Sequence, residues 1–241
     1  MPHPQANAIL SQLPSEELQF LTPHMKLVSL KKGEILFEPG GSIDHYYFPL
    51  TCTLELTVDL PEGDSAATTV INMNGMYPLH LIGRAQSHNR AMVRSPGLCY
   101  RVPAWLIEEE LQRSQSFLWL LLREAVSLFE RASVESACLR HHSLEQVTAK
   151  LILLSMDQSR SPVVSLTQQE IANSLGVRRE GVTMTLQKFK RNHLISTHRG
   201  GVTVLDPVGL ERRACDCYQT VKELDRKLGQ PQLGERRKHG R

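Results

Sequence analysis

The sequence predicts an α+β protein: an N-terminal antiparallel β-roll or jelly roll, one long helix, and a C-terminal unit of short helices closed by a β-hairpin. Three observations carry that reading. Turn signals recur roughly every ten residues between residues 24 and 103. After residue 104 the apolar period changes from strand-like to helical. Two short amphipathic segments then meet at Gly176.

Residues 1–103 form the expected β-roll sensor domain. SQLPSEELQFL offers a short leading helix with Ser15 as its cap. KKGE (31–34), EPGG (38–41) and PEGD (61–64) then punctuate strand-like runs. In LELTVDL, Leu54, Leu56, Val58 and Leu60 alternate with polar residues, as a strand with one buried face requires.

Residues 104–142 read as a dimerisation helix and hinge. Leu118, Leu121, Ala125, Leu128 and Ala132 recur at alternating three- and four-residue steps, the seam of a coiled coil. Leu122 and Phe129 are expected to widen that stripe towards the roll, leaving Arg123, Glu124, Glu130 and Arg131 in water. A helix packed only on its own domain is the competing reading. Residues 143–228 open with another helix, SLEQVTAKLILLSMDQS, and residues 229–241 read as a disordered basic tail.

Composition narrows the function classes. With 41% hydrophobic and 22% charged residues the chain has a soluble, globular balance. No apolar run approaches the roughly 18 residues of a membrane span. MPHPQANAIL lacks a signal-like core, so cytoplasmic residence is expected. Residues 1–142 hold 11 Lys+Arg against 15 Asp+Glu, whereas residues 143–241 hold 17 against 10. The basic part is the one suited to a polyanion. Removing the GERRKHGR tail shrinks this asymmetry without abolishing it. Cys52, Cys99, Cys138, Cys215 and Cys217 match neither a disulfide framework nor a four-ligand zinc spacing, and Cys215-Asp216-Cys217 is too short for a CxxC clamp. No metal and no cofactor are expected from them.

In LTQQEIANSLGVRREGVTMTLQKFKRNHLI, Thr167 and Glu170 form a capping box. Ile171 and Leu175 face inward, and Gly176 permits a tight turn. The second helix buries Val182, Leu186 and Phe189 and presents Arg179, Glu180, Thr183, Met184, Gln187 and Arg191, with Arg178 and Lys188 alongside. Its first residues would reach base edges in the major groove of DNA. Arginine suits guanine O6 and N7, and a carboxylate accepts from cytosine N4, so Arg179 and Glu180 read a G·C-containing step. Thr167, Gln168 and Gln169 lie where backbone N–H groups hold a phosphate. LISTHRGGVTVLD then gives a hairpin wing with Arg199 at its tip.

A strand-rich barrel containing EPGGSIDHYYFPL, a long helix and EIANSLGVRREGVTMTLQKF together resemble the Crp/Fnr family of bacterial transcription regulators over roughly residues 10–225. The resemblance implies a cyclic-nucleotide-binding-like roll, a dimer helix and a winged helix-turn-helix. It also implies that Arg179 and Glu180 are the base-reading pair. Met184 stands where many members carry a second arginine, and Arg178 where a serine cap is common. Cyclic-AMP-binding relatives use a glutamate and an Arg-Ser pair. Here the corresponding positions are Leu79 and Asn89-Arg90, so cyclic AMP is not the expected effector.

Two readings of the roll stay open. Arg84, His88, Arg90 and Arg94 form a basic site for a cyclic dinucleotide or another phosphate effector, or they are solvated charges on a ligand-free barrel. The family's iron–sulfur sensors use N-terminal cysteines, and the first cysteine here is Cys52. Haem through a terminal histidine such as His3, or a metal held by His141 and Glu145, are weaker readings. The expected partners are palindromic double-stranded DNA and a second copy of the chain, with RNA polymerase a further candidate and no membrane. No Gly-rich phosphate loop, HExxH or GxSxG argues for an enzyme. A non-specific nucleoid or partner-binding protein is the competing class.

Overall fold

The computed structural model describes residues 2–59, 65–79, 88–159 and 161–228. The PEGD turn, Arg84 and the tail from 229 to 241 lie outside the described residues.

Two short helices, α1 (Ala8–Ser11) and α2 (Ser15–Leu21), lead the chain. Asn7 starts α1: its Oδ1 accepts from the backbone N–H groups of Ile9 and Leu10 at 3.0 and 3.3 Å. Its amide donates to the carbonyls of Pro49 and Gly75, which pins the segment to the roll. The Ser15 cap is not made, because Pro14 occupies the cap position of α2.

Strands β1 (Lys26–Leu30), β2 (Ile35–Phe37), β3 (His45–Pro49), β4 (Thr53–Asp59), β5 (Ser65–Ile71), β6 (Asn89–Ser95) and β7 (Gly97–Pro103) form the roll. They make two antiparallel sheets, ordered β1-β7-β3 and β2-β6-β4-β5. Period two explains the layering. In β7, Cys99 enters the roll interior with Leu54, Leu56 and Val93. Its neighbours Tyr100 and Val102 point to the other face, against Ile9, Leu10 and Leu106.

Helices α3 (Ala104–Arg113), α4 (Gln115–His141) and α5 (Leu144–Ser159) follow. The C-terminal unit comprises β8 (Val163–Val164), α6 (Gln168–Leu175), α7 (Arg179–Arg191), β9 (Ile195–His198), β10 (Gly201–Val204), α8 (Pro207–Glu211) and α9 (Cys217–Leu228). Its core joins Val147 and Ile152 of α5 to Ile171, Val182, Leu186, Phe189 and Val202. Helix α9 returns along α4. Lys32 of the roll pairs with Glu170 at 2.8 Å and donates to the Ser165 carbonyl at 3.0 Å, tying the roll to α6. Among the described residues, no helix is long and apolar enough to cross a membrane.

The structure corrects the helical reading after residue 104 in two ways. The segment is two helices, because Ser114 leaves helical geometry and its Oγ accepts from the Phe117 N–H at 2.9 Å. The phase of α4 is also displaced. Leu121 is 1% exposed inside the N-terminal core, and Leu118, Ala125 and Leu128 are half-buried. Of the expected seam, only Ala132 is exposed. The exposed apolar row is instead Trp119, Val126 and Phe129, at 63%, 56% and 73%, with half-buried Leu122 between them. Glu124 and Arg131, expected in water, are buried: Arg131 pairs with Asp225 of α9 at 2.9 Å and lies 3.8 Å from Glu124. An arginine paired with Asp225, beside a carboxyl that burial holds protonated up to about pH 8, can occupy a buried row that hydropathy assigns to solvent.

Candidate nucleic-acid interface

Thr167 Oγ1 accepts from the Glu170 N–H at 3.2 Å, and a Glu170 carboxylate oxygen accepts from the Thr167 N–H at 2.7 Å. The capping box starts α6 as the sequence requires. Partial burial pushes the Glu170 carboxyl up, but hydrogen bonds from Lys32 and Thr167 outweigh it and hold the group below the usual range. The cap therefore stays ionised where the N-terminal end of the helix dipole favours it.

Ile171, Ala172 and Leu175 turn inward. Gly176 ends the helix at φ 63° and ψ 35°, a left-handed conformation that a Cβ penalises. Helix α7 then buries Val182, Thr185, Leu186 and Phe189. The opposite row, Glu180, Met184, Gln187 and Arg191, is exposed, and so are Arg178 and Arg179 at its mouth. Arg178 occupies the cap position without a side-chain cap bond. Thr183 Oγ1 lies 2.7 Å from Gln168 Oε1 and 3.0 Å from the Arg179 carbonyl, which braces α7 on α6.

Arg179, Thr167, Gln168 and Gln169 border one concave surface with Thr197, His198 and Gly200 of the hairpin. Gln169 donates to Asn173 at 2.8 Å along the outer side of α6. The hairpin pairs His198 with Gly201, leaving Arg199 exposed at the tip beside Gly200 at φ 92°. Cations, amide donors and the first turn of α7 thus share one exposed, concave surface.

Lys188 departs from the expected set. Its ammonium is drawn to Glu145 of α5, which also meets Arg213 at 3.5 Å, so it lies on the flank away from the exposed row. The same contacts occupy Glu145 and weaken a metal role with His141. Lys190, exposed on the Arg179 side of α7, was missed; its position eleven residues on, three turns along, would have placed it there.

Of the proposed basic ligand site, Arg90 meets Glu38 at 2.7 Å and Asp59 at 3.0 Å, and Arg94 is buried 3.2 Å from Glu55. Carboxylates of the chain itself therefore face both guanidinium groups. His88 is exposed. Leu79 and Asn89 border a recess between the roll and α4 with Tyr77, Thr68, Leu128 and Phe129; among the described residues its lining carries no fixed charge. His3 accepts from the Gln5 N–H at 3.3 Å in a local turn. The cysteines are less scattered in space than along the chain: Cys138, Cys215 and Cys217 gather with His142.

A braced pair of short helices, an exposed cationic helix mouth and a hairpin wing define a winged helix-turn-helix protein. Residues 145–213 match the Crp-like helix-turn-helix domain family. The chain is 24% identical over 220 residues to the nitrogen fixation regulation protein FixK of Bradyrhizobium diazoefficiens, covering 87% of this chain and 91% of that one. It is 21% identical over 195 residues to the global nitrogen regulator of Nostoc sp., covering 77% and 87% respectively. A Crp/Fnr-family regulator structure from Eubacterium rectale superposes with a TM-score of 0.69 at 18% identity, over 86% of this chain and 97% of that one. Residues 145–213 thus carry a Crp-like helix-turn-helix domain, and over most of its length the chain is similar to Crp/Fnr-type regulators.

Proposed function

We propose that this chain works as a homodimer that binds a palindromic DNA site through α7. The observation that carries the reading is the exposed Arg179–Glu180 pair at the first turn of α7, set between the capped start of α6 and the Arg199 wing. Arg179 supplies the fork for a guanine edge and Glu180 the acceptor for cytosine N4. Thr183, Gln187 and Arg191 extend the contact row along the groove. Thr167, Gln168, Gln169, Lys190 and Arg199 serve the phosphates, where they fix register without reading sequence.

Dimerisation falls to the exposed row of α4. Trp119, Leu122, Val126 and Phe129 follow three-, four- and three-residue steps, the spacing by which two parallel helices interdigitate. A symmetric pair then presents two copies of α7 to two half-sites about one helical turn apart. Leucine at position 79 and asparagine at position 89, in a recess without a fixed charge among the described residues, argue against cyclic AMP as effector, and the paired states of Arg90 and Arg94 argue against a free basic site for a cyclic dinucleotide. RNA polymerase is the partner such a DNA-bound dimer would address in the cytoplasm.

Selection from a random duplex pool tests the proposal. A specific regulator enriches a two-fold-symmetric motif and keeps its preference over bulk DNA as salt rises. A nucleoid-type protein enriches no motif, and its binding to both DNAs falls together.

A further inference from the structure

We propose that Cys138, His142, Cys215 and Cys217 form a metal site for a single zinc-class ion, clamping the end of α4 to the segment joining α8 and α9. One ligand atom from each of the four lies within 4.8 Å of all the others. Cys138 Sγ and Cys215 Sγ are 3.4 Å apart, and Cys217 Sγ is 3.7 Å from His142 Nδ1. A tetrahedron built on Zn–S bonds of about 2.3 Å has sulfur–sulfur edges of about 3.8 Å, close to these separations. A disulfide would need about 2.05 Å, and all five cysteines are free thiols.

The donor set itself indicates which ion fits. Three thiolates and an imidazole make the Cys3His combination of closed structural zinc sites, with no position left for a water or substrate. The compactness opposes an iron–sulfur cluster, whose cysteines bind different irons and are spread further apart. Cys138 and Cys215 are buried while His142 and Cys217 are half-buried, so the site sits at the edge of the C-terminal core with an entry path. Wholly buried Lys150 lies with its ammonium 3.2 Å from Cys138 Sγ and also meets Glu135. A cation donating to a ligating sulfur is the outer-shell partner that metal thiolates use. Three bound thiolates and a neutral imidazole leave one net negative charge on a divalent ion, which the Lys150 ammonium, shared with Glu135, offsets in part.

Position gives the site its consequence. Cys138 lies in the last turn of α4 and His142 caps that helix, while Cys217 opens α9. The ion bridges the α4–α5 turn at Ser143 and fixes how the helix-turn-helix unit hangs from the long helix. Binding displaces up to three thiol protons to solvent, so apparent affinity rises with pH.

The test uses the full chain, purified anaerobically under reducing conditions, with metal content measured by mass spectrometry and Co2+ as a spectroscopic probe. The expected result is about one zinc per chain, and after exchange the charge-transfer and visible bands of tetrahedral thiolate-bound cobalt. Cys138→Ser, Cys215→Ser and Cys217→Ser each lose the bands or weaken binding at least tenfold, Cys52→Ser keeps them, and His142→Cys retains tetrahedral binding that His142→Ala weakens. Four outcomes overturn the proposal: a wild-type chain that takes up neither Zn2+ nor tetrahedral Co2+, binding that survives Cys138→Ser and Cys217→Ser together, iron with inorganic sulfide in place of zinc, or a Cys138–Cys215 disulfide whose reduction restores no zinc uptake. The wild-type titration needs no variant to fold, and none of these readouts depends on DNA binding.

Discussion

Glu124→Gln tests the buried contact between the long helix and α9. Glu124 is fully buried, and neither carboxylate oxygen has a hydrogen-bond partner among the described residues. Burial, opposed by Arg131 and aided by Asp225, pushes its carboxyl from 4.5 up to about 8. A raised carboxyl binds its proton more tightly in the folded chain. Its contribution to stability is therefore fully present below pH 4.5 and is lost progressively as pH rises through about 8. At 1.36 kcal/mol per unit, the wild type should lose about 3 kcal/mol between roughly pH 5.5 and 8.5 through this group. Glutamine has nearly the same shape and no charge to develop, so Glu124→Gln should escape that loss. It meets an amide desolvation cost of about 1–3 kcal/mol at both pH values. Urea unfolding at the two pH values measures the difference. Wild type and variant losing stability in parallel would refute the assignment.

Other substitutions probe separate links. Trp119→Glu with Phe129→Glu should give folded monomers by sedimentation with little affinity for the selected duplex, since both side chains are exposed; persistent dimers would rule out this row as the seam. Thr167→Val removes a cap acceptor and should cost about 0.5–2 kcal/mol by chemical unfolding; an unchanged midpoint would mean the capping box contributes nothing. Lys188→Ala should leave the selected DNA motif unchanged, because its ammonium is held on the α5 flank; a changed motif would return it to the base-reading row.

What the sequence revealed followed from local spacing. The capping box, Gly176 and the Val182, Leu186, Phe189 row lie within about thirty residues, so the helix-turn-helix could be read directly. Alternation in LELTVDL revealed β4 for the same reason. The phase of α4 was not legible, because buried Glu124 and Arg131 take their place on the inner row from Asp225, ninety-four positions beyond Arg131. The break at Ser114 depends on a side-chain hydrogen bond to Glu17 across the fold as well as on its cap. The cysteine–histidine cluster was invisible to motif spacing, since Cys138 and Cys215 are seventy-seven positions apart and meet only when α9 folds back on α4.

The comparison of DNA motifs selected by wild type and by Arg179→Ala goes most directly to the claim that α7 reads sequence. Arg179 is exposed, so its removal should leave stability within about 0.5 kcal/mol. Loss of a bidentate guanine contact costs about 1–3 kcal/mol in each half-site, and the variant's motif should become degenerate at one G·C pair per half-site. An identical motif at undiminished affinity would contradict the account.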